Sequence, residues 1–268
     1  MILAVEDCDF VNQPVCAPED VGELFIFPAI FGQVNRTVVL MFVAALIVVA
    51  VLYFGLRHRS VRPSKFQAAV ESVVGLVRND ISIGVIGPEG LKYFPYLLSI
   101  FLFILVGNLF EVTPLVNFPI TSRMAIPLFL ALVTYLIYLV VGFAKNGVSY
   151  ITDVAWPGHV PVAMRPLVGI IELAQYLVIR PFSLAVRLFA NMVAGHTMLS
   201  LLLVTGWVFT SNLVVNYGEI GLKGLAGPLW FTFGLGIYVF EIVVAIVQAY
   251  IFTLLSAVYI QSSVHPEH

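Results

Sequence analysis

Five polar residues stand inside two stretches that are mostly apolar, and together they could move a proton. Arg187 lies in the middle of the 44-residue run 166–209. Asn191 follows it by four positions and His196 by nine. Glu241 and Gln248 lie in a second run, 227–261. Arginine stays protonated at any working pH, so Arg187 is a fixed cation. No acid stands four residues away to pair with it. Its partner must come from elsewhere, in this chain or another. Histidine beside a carboxylate is the usual side-chain pair for taking up and passing on a proton.

Helix geometry ties the two runs together. As antiparallel helices with Arg187 level with Gln248, they place His196 about 13.5 Å further along its own helix. Glu241 then lies about 10.5 Å further along the other. The imidazole and the carboxylate fall at nearly the same depth, and Asn191 sits between that pair and the arginine. The pattern is a polar path that ends at a fixed positive charge. Charges at such depth are costly and mark functional sites by default. Glu172 and Arg180, in the cytoplasmic part of the overlong first run, have two readings: functional charges, or a structural pair or end residues whose long side chains reach out of the hydrocarbon.

The elements that hold these residues must be membrane helices. The chain has 268 residues, of which 60% are hydrophobic and 10% charged, against roughly 25% charged in a soluble protein. Mean hydropathy is +1.02. A soluble domain could not bury so much apolar surface or cover itself with so few charges. A net charge of -2 offers no basic field for nucleic acid. Cys8 and Cys16 are too few for a disulfide framework or a zinc site, so no metal is expected. The first residues include Glu6, Asp7 and Asp9, which do not read as a signal peptide.

Five spans are expected, at about 38–56, 93–113, 126–144, 166–209 and 227–261. The last two are too long to stand upright in ~30 Å of hydrocarbon. They must tilt, kink or project beyond it, and Pro181 could kink the first of them. Glu111 lies near the end of the second span. Residues 65–86 are different. Phe66, Val70, Val73, Val77 and Ile81 recur at helical spacing, while Lys65, Glu71 and Arg78 occupy another face. That is an amphipathic helix, read as lying on the membrane surface, with a short helix packed on the spans as the alternative. The fold class is therefore an all-α integral membrane protein with five embedded helices and one surface helix. Residues 1–37 form an N-terminal segment, and 38–268 a single membrane domain.

Basic residues set the orientation. Arg57, Arg59, Arg62, Lys65, Arg78, Lys92, Lys145 and Arg165 fall on one side, and Arg36, Arg123 and Lys223 on the other. The richer side is cytoplasmic by the positive-inside rule. The N-terminus is then outside and His268 inside. Cys8 and Cys16 would face the oxidising side, as a local disulfide or as two free thiols.

Other functions fit less well. A membrane cytochrome needs paired axial ligands, and His196 is the sole histidine within the spans. A secondary transporter would commonly show internal repeats, and five spans divide poorly into halves. A structural anchor does not account for a central arginine. No G-x-x-x-x-G-K-[ST] phosphate loop is present, so no nucleotide site is expected on this chain.

At its polar residues the chain resembles subunit a of the F-type ATP synthase, the stator half of a membrane proton turbine. Ser183-Leu-Ala-Val-Arg187-Leu-Phe-Ala-Asn191-Met-Val-Ala-Gly195-His196 carries the first part of the likeness. Glu241-Ile-Val-Val-Ala-Ile-Val-Gln248-Ala-Tyr250-Ile-Phe252 carries the second. The resemblance covers most of the chain after about Val38. Many bacterial members have glycine at the position of Ala190. Many also have glutamate where this chain has His196 and histidine where it has Glu241. The exchange keeps one acid and one imidazole at one depth.

The resemblance implies a mechanism and partners. Arg187 would face the mid-membrane carboxylates of a ring of c subunits and block a direct leak. An outer half-channel would use Asn191, His196, Glu241, Gln248 and Glu111. An inner one would open near Glu172 and Ser183. Gln248 would help position the arginine. Further partners would be a b-type peripheral stalk, the soluble F1 head reached through the complex, and the lipid bilayer. No cofactor is implied. The implied location is the inner (plasma) membrane of a bacterium, with a mitochondrial inner membrane second.

Overall fold

A computed structural model shows how these segments fold. It describes residues 25, 35–57, 63–113, 116–147, 150, 155–156, 161, 164–215 and 226–264. Cys8, Cys16, Arg59, Arg62, Lys223, the acids preceding Val38 and the terminal His268 lie outside the described residues. The disulfide expectation lies there with them.

Among the described residues the regular structure is helical. Helix α1 spans Arg36–Leu56. Helix α2 spans Lys65–Gly75 and continues as a wider, π-wound segment over Leu76–Ile86. A short 3-10 turn, Pro88–Lys92, leads to α3 at Phe94–Val112. A second such turn, Ile120–Ser122, precedes α4 at Ala125–Asn146. Helix α5 (Arg165–Ala174) passes through a π turn, Gln175–Ile179, into α6 (Arg180–Val215). Helix α7 is Ala226–Val264. Among the described residues, five helices are long and apolar enough to cross a membrane. They are α1, α3, α4, the continuous Arg165–Ser211 of 47 residues, and α7 of 39 residues.

The described residues divide into two compact units, the first drawn from Met1–Phe42, Gly107–Ser122 and Ala190–Ile246, the second from Val43–Val106, Arg123–Phe189 and Val247–His268. The second unit has one apolar core. Val48 of α1, Leu97 and Ile104 of α3, Tyr138 of α4, Leu184 and Leu188 of α6, and Phe252 and Ile260 of α7 meet there. Val77 and Ile81 of the amphipathic segment enter the same core. Its stripe is thus buried against the helices of its unit, while Lys65, Glu71 and Arg78 are exposed. Phe66, expected with the stripe, is 51% exposed. Ser64 starts α2 by accepting a bond from the Gln67 amide at 3.2 Å.

Apolar contact alone cannot hold helices together in lipid, where the surroundings are equally apolar. Buried polar ties supplement it in this unit. Tyr96 and Thr134 hydroxyls lie 2.6 Å apart, joining α3 to α4. The Tyr150 hydroxyl meets Ser263 Oγ of α7 at 2.8 Å, and Asn146 Nδ2 donates to the Ser263 carbonyl at 3.1 Å.

The expected break at Pro181 takes a particular form. The π turn stands immediately before it, and the Arg180 amide donates to Gln175, five residues back. The Tyr176 carbonyl loses its usual donor by this shift. Tyr138 of α4 supplies one, its hydroxyl donating to that carbonyl at 2.6 Å. Proline has no amide proton to continue the ladder, so a local widening with an outside donor keeps the helix continuous.

Candidate proton-transfer site

The site is built where α3 ends. Asn108 and Glu111 are three residues apart and so share a face of that helix. The chain then turns back sharply. Val116 and Asn117 amides both donate to the Thr113 carbonyl, at 3.0 and 2.8 Å. Asn117 takes the left-handed conformation, φ 43, which asparagine tolerates better than most residues. Arg36 Nη2 holds the Val116 carbonyl at 2.6 Å. The Phe118 amide returns to the Phe110 carbonyl at 3.4 Å. Thr121 Oγ1 donates to Asn108 Oδ1 at 2.7 Å, and both residues are fully buried.

This turn brings Glu111 to His196 of α6. His196 Nδ1 lies 3.8 Å from Glu111 Oε1, and both side chains are buried. Glu241 of α7 is the third member. Its carboxylate lies against the backbone of Gly195, the residue before the histidine. Phe25 and Phe118 close the imidazole between two edge-on aromatic rings, with centroids at 5.4 and 6.2 Å. Two carboxylates and one imidazole are thus buried in the first unit. Glu111 Oε1, His196 Nδ1, Glu241 Oε2 and Asn108 Nδ2 are all buried without a hydrogen-bond partner among the described residues.

The remaining expected residues are placed as follows. Arg187 is exposed on α6. Among the described residues it forms no hydrogen bond and no ion pair. Gln248 of α7 is buried, and its Nε2 has no hydrogen-bond partner. The two side chains are therefore not bonded to each other. Asn191 stands one turn beyond Arg187 on the same helix and is half-buried. Glu172 and Ser183 are half-buried on α5 and α6. Arg180 does not pair with Glu172. Its Nη1 bonds Ser262 Oγ of α7 at 3.0 Å, and its guanidinium stacks 3.7 Å from the Tyr176 ring centroid. That is a structural tie between two long helices.

Sequence spacing missed two members of the buried cluster, Asn108 and Thr121. Asn108 did carry a signal, since an amide within an apolar span one turn from Glu111 shares its face. Thr121 carried none, because only the return of the chain after α3 brings it there. No group of three or more His, Cys, Asp or Glu that could hold a metal is present among the described residues.

Residues 38–261 match the family described as ATP synthase A chain. A protein of Cereibacter sphaeroides named ATP synthase subunit a is 36% identical over 236 residues, covering 88% of this chain and 83% of the relative. The subunit a of Frankia alni is 38% identical over 244 residues, with 87% and 79% covered. That of Paracoccus denitrificans is 34% identical over 251 residues, with 91% and 94% covered. With five apolar helices and a match across most of its length, this multi-pass membrane chain belongs to the ATP synthase A chain family.

Proposed function

We propose that this chain is the stator proton channel of the membrane sector of an ATP synthase, with Arg187 as the fixed cation past which a rotor carries its carboxylates. The observation that carries the reading is the state of Arg187: a permanent charge, exposed on a membrane helix and unpaired among the described residues. A bare guanidinium in an apolar medium is unstable without a counter-charge. A carboxylate on a neighbouring ring of c subunits meets that need. A moving partner also explains why none is supplied among the described residues.

The buried cluster then serves as the outer half-channel. Protons enter through Glu111, His196 and Glu241, pass Asn191 and Gln248, and load the ring carboxylate. The ring releases them at the offset inner path, near Ser183 and Glu172 on the cytoplasmic side. Arg187 stabilises each carboxylate as it loses its proton, and its charge bars protons from crossing directly. The nucleotide chemistry belongs to a soluble head, held to this chain through b-type stalk subunits. The N-terminus is outside and the C-terminus in the cytoplasm, in a bacterial plasma membrane.

Purification of the tagged chain from mild detergent tests this reading. Ring subunits and a soluble ATPase should accompany it, and vesicles stripped of the soluble head should conduct protons under an imposed potential. A chain that purifies without them, from vesicles that conduct nothing, would end the proposal.

A further inference from the structure

Tyr238 joins the two turns that carry the carboxylates of the buried cluster. It stands three residues before Glu241 on α7, and its hydroxyl donates to the Val112 carbonyl. Val112 is the last residue of α3 and the neighbour of Glu111. A helix end leaves its last carbonyls without internal donors, and in an apolar setting some donor must be found. Any donor would meet that general need. The location of this one is particular, since it spans from one turn before Glu241 to one residue after Glu111. The last turn of α3 cannot rotate or slide along α7 without breaking it. Thr121 on Asn108 holds the same part of α3 from the side of the returning chain.

We propose that Tyr238 is a positioning residue for proton transfer: by holding the Val112 carbonyl it fixes the turn of Glu111 within reach of His196 and Glu241. The inference rests on the reading of Glu111 as a member of the proton path. The 3.8 Å between Glu111 Oε1 and His196 Nδ1 is longer than a hydrogen bond, so a small closure makes the pair and a small opening loses it. Displacements near an ångström are enough to change transfer rates greatly. A tie one residue from Glu111 governs that margin directly.

A four-way cycle in the complete complex tests this. The parent, Tyr238→Phe, Glu111→Gln and the double variant are compared in inverted vesicles, with ATP-driven proton uptake expressed per assembled complex. Tyr238→Phe should slow uptake about five- to tenfold, and Glu111→Gln should slow it as well. The double variant should be no slower than Glu111→Gln alone, because Tyr238 acts only through that carboxylate. A purely structural tie would instead multiply the two losses, and that result overturns the inference. So does parental uptake by Tyr238→Phe beside slowed uptake by Glu111→Gln, which would leave the wider reading intact. Parental uptake by Glu111→Gln removes that wider reading, and the inference with it. Should Tyr238→Phe fail to assemble, Tyr238→Trp, whose indole N–H can donate, is the second variant. It should conduct within about twofold of the parent per complex, and a loss as deep as that of Glu111→Gln counts against the proposal.

Discussion

The Glu241 carboxylate rests on the backbone of Gly195. A Cβ built at residue 195 would stand 2.6 Å from each of its two oxygens. No side chain but hydrogen fits between them. The missing methyl is what lets a carboxylate on α7 sit beside the turn of α6 that bears His196.

Gly195→Ala should therefore displace Glu241 while leaving α6 helical, since alanine favours a helix more than glycine does. Proton uptake in inverted vesicles should fall at least about tenfold, with the complex still assembled. The double variant Gly195→Ala, Glu241→Asp should recover part of the loss, because the shorter acid withdraws from the new methyl. Uptake by Gly195→Ala equal to the parent would show that the location of this carboxylate is immaterial.

Arg187→Ala should abolish coupled transport. Alanine removes both the attraction for a passing carboxylate and the barrier to leak. Arg187→Lys should be nearly as damaging, since a flexible point charge replaces a planar fork with a permanent charge. ATP synthesis and ATP-driven uptake are the measurements, with assembly confirmed by detergent extraction. Near-normal synthesis by an assembled Arg187→Ala complex would remove the role assigned to this chain.

Exchange of the acid and the imidazole tests their shared work. Glu241→Gln should slow uptake with assembly intact. The pair His196→Glu, Glu241→His restores one imidazole and two acids to the pocket, counting Glu111, and should outperform either single exchange. A double exchange no faster than the worse single one would show that the two residues work separately.

Tyr138→Phe concerns stability rather than transport. It removes the donor to the Tyr176 carbonyl in the π turn, leaving a partly buried acceptor without that bond at a cost of about 1 kcal/mol. The complex should dissociate at a lower temperature in detergent, while uptake at low temperature stays near that of the parent. An unchanged dissociation temperature would mean that another donor takes over.

Much of this was legible in the sequence, and the reason is the regularity of helices. Five apolar runs became five long helices because length and hydropathy alone set whether a segment can span lipid. A fixed rise per residue was enough to suggest His196 and Glu241 as neighbours in depth. The rise does not say which way a helix is turned. Glu111 of α3, which spacing along the two long runs does not bring in, has a carboxyl oxygen 3.8 Å from His196 Nδ1. Phe66 fits the periodicity of the apolar stripe yet faces outward. The π turn was hidden as well, since Gln175-Tyr-Leu-Val-Ile179 reads like any apolar stretch of helix.

That turn has a further consequence for Arg187. Bonds to the fifth residue take in about one residue more than an α-helical turn needs. Beyond the turn, the sequence resumes about 100° out of phase with the part before it. Glu172 lies on one side of this offset and Arg187 on the other. The stretch that bears Glu172 and the stretch that bears Arg187 thus present their side chains on faces offset by that angle, like the two arms of a key cut at different angles. A family of such chains could change the bearing of one arm by gaining or losing one residue there, without disturbing the aim of the other.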